Sequence, residues 1–91
     1  MITGVHVFIS GRVQGVFYRA NTKNKAEQLG VNGWVKNLSD GRVEAFFQGD
    51  EKTVDSMISW CKNGPPNAEV TNVDIKKELV TETLEGFVIR Y

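Results

Sequence analysis

One cysteine, one histidine and two adjacent prolines are all that this chain of 91 residues has of those types. The lone cysteine, Cys61, can close no internal disulfide and build no cysteine-rich metal site, a usage that fits a reducing compartment. The lone histidine, His6, falls in the middle of a strand-like stretch and reads as a surface or half-buried strand residue. Net charge is missing too, because eleven Lys and Arg cancel eleven Asp and Glu. A nucleic-acid binder usually gathers basic residues on one face, so no nucleic-acid partner is expected, while a local anion site stays open. No apolar run approaches the length of a membrane span. The opening residues, Met1 to His6, lack a basic stretch followed by an apolar block, so no secretory signal is expected either. These absences predict a cytoplasmic protein without a membrane partner.

What is present is ordinary in amount and informative in order. The hydrophobic share of 41% and charged share of 24% are those of a globular protein. The length suits one domain, residues 1–91, whose folding buries roughly 60–65% of the unfolded surface. Val5, Val7 and Ile9 alternate with His6, Phe8 and Ser10, the period of a half-buried strand that stops at Gly11. Tyr18, Thr22, Ala26 and Leu29 fall on one helical stripe, with Gly30 as its C-cap. Val31 to Asn37 reads as a second strand, Leu38 to Gly41 as a turn, and Val43 to Gln48 as a third strand. Asp50 is placed to cap a second helix with Val54, Met57, Ile58 and Cys61 on its apolar stripe. Gly64, Pro65 and Pro66 stop that helix, since proline donates no helical hydrogen bond. Val70 to Leu79 and Phe87 to Tyr91 are strand-like, with a polar turn from Thr81 to Gly86 between them.

The order β-α-β-β-α-β with a short extra C-terminal strand predicts an α+β, ferredoxin-like sandwich, two helices on one face of an antiparallel sheet. Strand directions then follow. If the first strand runs up, so do the second and the last, and the loop after Ser10, Asn37 and the Tyr91 carboxylate share one end of the sheet. That loop, Gly11 to Arg19, joins a strand to a helix. The first turn of a helix leaves N–H groups unpaired and carries a partial positive charge, which suits an anion. Gly11 and Gly15 permit angles that turn successive N–H groups to one point, and Arg19 can add a bidentate cation. The Walker spacing is absent. On spacing alone, two readings stand: a phosphate cradle, or a tight connection with Arg19 as a solvated surface cation.

Gly-Arg-Val-Gln-Gly-Val-Phe-Tyr-Arg (11–19) resembles the acylphosphatase signature Gly-x-Val-x-Gly-Val-x-(Phe/Tyr)-Arg. Gly33-Trp34-Val35-Lys36-Asn37 resembles that family's second motif, Gly-aromatic-small-x-Asn. The likeness runs on through Asp40 to Ala45, Gly49, Gly64 to Pro66 and Phe87 to Ile89, and so covers essentially the whole chain. Many members have glycine where this chain has Phe17; a positive φ there would be costly for phenylalanine.

The resemblance implies hydrolysis of acyl phosphates to a carboxylate and inorganic phosphate, with no cofactor and no metal; a monomer is expected, though the residues themselves do not specify the oligomeric state. It assigns the phosphoryl oxygens to Arg19 and to the backbone N–H groups of Gln14, Gly15, Val16 and Phe17, and the attacking water to Asn37. The Tyr91 carboxylate is a further candidate, as a partner for Arg19. The rival reading is a non-catalytic ferredoxin-like module that binds phosphate or RNA. Its third strand, Gly41 to Phe47, lacks the basic-Gly-aromatic pattern of RNA-recognition domains.

Overall fold

Val5, Val7 and Ile9 are buried, whereas His6 and Phe8 between them are only half-buried, so the first strand turns one face into a core. The computed structural model describes residues 2–91. In chain order they form β1 (Ile2–Arg12), α1 (Tyr18–Leu29), β2 (Asn32–Asn37), β3 (Val43–Asp50), α2 (Glu51–Asn63), β4 (Glu69–Glu78) and β5 (Phe87–Arg90). The strands make one sheet in the order β4-β1-β3-β2-β5. Both helices pack on one side, α1 over β2 and β5, α2 over β1, β3 and β4.

Three pairings, β1 with β3, β1 with β4 and β2 with β3, are antiparallel, as the sequence predicts. β5 runs parallel to β2, as the strand directions require, so the extra strand makes the whole sheet mixed rather than purely antiparallel. The cause is the connection, since residues 79–86 carry the chain from β4 at one edge to β2 near the other. Buried Gln48 pins this crossing from β3: its Nε2 donates to the Glu82 carbonyl at 2.8 Å, and its Oε1 accepts the Leu84 N–H at 2.7 Å.

The helices form and stop where the sequence directs. Tyr18, Thr22 and Ala26 are buried on α1, and Val54, Met57, Ile58 and Cys61 on α2. Each fully buried aliphatic side chain of this size contributes about 1.5–3 kcal/mol. Gly30 ends α1 in the left-handed conformation, and its N–H bonds back to the last turn. Asp50 occupies the N-cap of α2, but its side chain makes no capping hydrogen bond. There β3 passes into α2 without an intervening turn.

Register brings the ends of two strands together. Val43 of β3 pairs with Ile9 of β1 on one side and with Asn37 of β2 on the other. Asn37 therefore stands two strand spacings, roughly 9–10 Å, from Ile9. Lys36 pairs with Arg90, so the next residues, Asn37 and Tyr91, finish β2 and follow β5 at that same end.

Candidate functional site

The connection from β1 to α1 begins later than the alternation suggests. β1 continues to Arg12 because β4 keeps pairing with it, Gly11 with Val70 and Arg12 with Glu69, after a register shift at Ser10. Gly11 sits at that bulge with φ 116°, and a Cβ there would lie 2.1 Å from the Glu69 carbonyl oxygen. Its role is thus to let the β4 backbone approach, and the loop proper starts at Val13.

Gly15 serves the loop itself. Its φ is 76°, and a Cβ would meet nothing, so only the backbone angle calls for glycine. Phe17 follows in the left-handed conformation at φ 60°, as the N-cap of α1. It is the sole non-glycine residue with positive φ among the described residues. The sequence flagged this position, and the backbone does impose the angle that phenylalanine tolerates poorly.

These angles leave donors free. Among the described residues, no backbone N–H from Gln14 to Arg19 has an acceptor within the chain, and the first turn of α1 contains no acidic residue. A row of open donors at a helix start is an anion cradle. Beside it opens a cleft of about 300 Å³ lined by Gly15, Phe17, Arg19, Asn37, Ile89 and Tyr91, among others. The structure therefore brings Arg19 and Asn37, candidates from two separate motifs, to one cavity with the loop.

Arg19 is half-buried and has no carboxylate partner among the described residues. The Tyr91 carboxylate does not pair with it. The guanidinium instead lies 5.0 Å from the centroid of the Tyr91 ring, a stacking contact that leaves its N–H groups available. Asn37 shows the opposite of a satisfied turn residue: its Oδ1 is buried and has no hydrogen-bond partner. An unpaired buried acceptor costs about 1–3 kcal/mol.

Sequence reasoning missed the side chain of Gln14. Its Nε2 donates to the Leu38 carbonyl at 2.7 Å and to the Arg42 carbonyl at 3.0 Å. Those carbonyls flank the β2–β3 turn directly after Asn37, so Gln14 ties the cradle to the hairpin. The turn is closed on itself as well, by Leu38 N–H to the Arg42 carbonyl at 2.8 Å. Asp40 accepts the Arg42 N–H at 3.1 Å and the Arg42 Nε at 2.9 Å, and these bonds hold its carboxyl below the usual range. For the ring of Tyr91 a signal did exist. Phe87, Ile89 and Tyr91 alternate onto one face, and Phe87 is buried beneath the helices.

Residues set aside by sequence lie elsewhere. His6 bridges Glu44 and Glu78 on the face of the sheet away from the helices, near Trp34 and Phe46. Cys61 is buried, and Trp60 packs against Tyr18. Among the described residues, no group of three or more His, Cys, Asp and Glu side chains converges as a metal ion requires.

Residues 5–89 match the family model described as acylphosphatase. An acylphosphatase of Haloquadratum walsbyi is 54% identical over 88 residues, covering 97% of this chain and 94% of that protein. Among solved structures, an acylphosphatase from Coxiella burnetii superposes with a TM-score of 0.92 at 43% identity, covering 98% of this chain and 93% of that one. The acylphosphatase from Bacillus subtilis gives 0.94 at 35% identity over 100% of both chains.

Proposed function

The chain belongs to the acylphosphatase family and hydrolyses acyl phosphates to a carboxylate and inorganic phosphate; we propose that the cradle and Arg19 hold the phosphoryl group while Asn37 aims the attacking water. The chemistry asks for little more. The leaving group is a carboxylate whose acid has a pKa of about 4, so it departs at neutral pH without a proton donor. Phosphoryl transfer through a loose transition state needs position and charge stabilisation above all. The N–H groups of Gln14, Gly15, Val16 and Phe17 meet the phosphoryl oxygens, and Arg19 adds a bidentate cation. Water gives one hydrogen bond to Asn37 Oδ1 and attacks phosphorus in line with the scissile P–O bond. An amide is no base, so the proton passes to a phosphoryl oxygen of the substrate.

The observation that carries this reading is the unpartnered, buried Oδ1 of Asn37 beside Arg19. A bound water satisfies that acceptor and is thereby oriented. The test is a comparison of Arg19→Ala with Asn37→Ala, in turnover of benzoyl phosphate and in affinity for inorganic phosphate. Asn37→Ala should lower kcat by about 10²–10³ and keep phosphate affinity within a few-fold. Arg19→Ala should lose both turnover and phosphate affinity. Equal losses of phosphate binding in the two variants would overturn the division of roles.

One domain spanning residues 1–91, acting as a cytoplasmic monomer, completes the proposal. The free, buried Cys61 accords with a reducing compartment. Among the described residues, no helix is long and apolar enough to cross a membrane. A base-stacking role for the open sheet face is disfavoured by the carboxylates of Glu44 and Glu78, which flank His6 there and repel phosphates.

A further inference from the structure

Phe17 is a large apolar side chain left 77% exposed on a left-handed backbone, at the mouth of the cleft that holds Arg19 and Asn37. Neither folding nor the phosphate cradle calls for an aromatic ring there. Glycine meets the angle without strain, and asparagine tolerates it better than phenylalanine. Strain kept in place at a cavity points to use by a ligand.

The rest of the cleft fits such a ligand. Its volume of about 300 Å³ is at the lower end for small-molecule sites, which run from roughly 300 to 1,000 Å³, and exceeds what a phosphoryl group fills. Its polar groups gather around Arg19, Asn37 and Gly15, while Val13, Phe17, Ala20, Ile89 and the ring of Tyr91 supply apolar wall. Arg19 is the only charged side chain among the lining residues. An acyl group with its own negative charge therefore finds no second cation.

We infer that Phe17 is a specificity-determining residue that packs against the acyl group and selects substrates with bulky apolar, above all aryl, acyl chains over acetyl phosphate. This rests on the assignment of the cradle to the phosphoryl end. With phosphate held at Gly15 and Arg19, the acyl carbon projects along the wall between Phe17 and Tyr91. An aryl ring there meets Phe17 by stacking or by its edge, as aromatic pairs do.

The experiment measures kcat/KM for benzoyl phosphate and acetyl phosphate in the native chain, Phe17→Asn and Phe17→Trp. Asparagine keeps the backbone angle and removes the wall; tryptophan keeps the wall. Comparing the benzoyl-to-acetyl ratio between variants cancels the intrinsic reactivity of the two acyl phosphates. The ratio should fall about tenfold in Phe17→Asn, at the lower end of what an apolar contact contributes to discrimination, and hold in Phe17→Trp. An unchanged ratio in Phe17→Asn, or an equal fall in both variants, overturns the inference. On the native chain alone, phenylphosphonate should inhibit about tenfold more tightly than methylphosphonate, and equal inhibition overturns the inference as well. If Arg19→Ala binds phosphate as the native chain does, the assignment of the cradle fails instead, and the phosphonate comparison still reads the wall.

Discussion

Phe17 and Gly11 show two different demands that a positive φ makes on a residue. At Gly11 the space is filled, because a Cβ would lie 2.1 Å from the Glu69 carbonyl oxygen, and any side chain must push β4 away from β1. At Phe17 the space is open and the demand falls on the backbone alone, so a side chain is tolerated at the cost of strain. A left-handed L-residue costs about 1–2 kcal/mol, and glycine costs about 0.5–1 kcal/mol in lost chain freedom. Little of the exposed ring's burial is lost on its removal. Phe17→Gly should thus raise stability by about 0.5–1 kcal/mol, read as a higher midpoint in urea denaturation with an unchanged slope. A lower midpoint would mean that the ring packs in the folded state more than its exposure allows.

Between elements, the decisive contact is the one from Gln14 to the β2–β3 turn. The cradle lies on the β1–α1 connection and Asn37 on the end of β2, and the Gln14 side chain spans the two with both its N–H groups. Gln14→Leu removes both donors, while the Leu38 and Arg42 carbonyls keep one backbone partner each. Stability should fall by about 1–2 kcal/mol. Turnover of benzoyl phosphate should fall ten- to a hundred-fold in kcat with KM little changed, since the water is misplaced and the phosphate is not. A rise in KM without loss of kcat would assign Gln14 to binding alone. The elements were legible in the sequence because their cues are local: alternation in β1 and β3, the stripe from Val54 to Cys61, and the Pro65–Pro66 stop. The paired motifs likewise marked Arg19 and Asn37. Three features were hidden because each depends on a partner distant in the chain. The added length of β1 needs β4, the place of β5 beside β2 needs the pinned crossing under Gln48, and the Gln14 tie needs the turn 24 residues away.

For the molecule as a whole, the two helices meet through a buried pair. The Tyr18 hydroxyl donates to the Cys61 carbonyl at 2.7 Å, and burial pushes the Cys61 thiol up to about 12 and the Tyr18 phenol well above its ordinary range. Both groups are raised in the folded state, so their stabilising effect is full below the unfolded values, 9.0 for cysteine and 10.0 for tyrosine. It is lost as pH climbs through the interval above them. Stability should be flat with respect to these groups up to pH 9 and then decline by roughly 1 kcal/mol per pH unit for each group engaged. Urea midpoints from pH 8 to 11 measure it, and Cys61→Ala should make the decline shallower between pH 9 and 10. An identical slope would place the alkaline sensitivity elsewhere. At the other margin of the molecule, β4 forms one rim of the sheet and is exposed over most of its length. An open rim is a template on which further copies can add strand by strand. Here it carries Asp74, Lys76, Lys77 and Glu78, and an antiparallel copy centred near Lys76 would set lysine against lysine. Like charges on the rim thus count against that one register of strand addition.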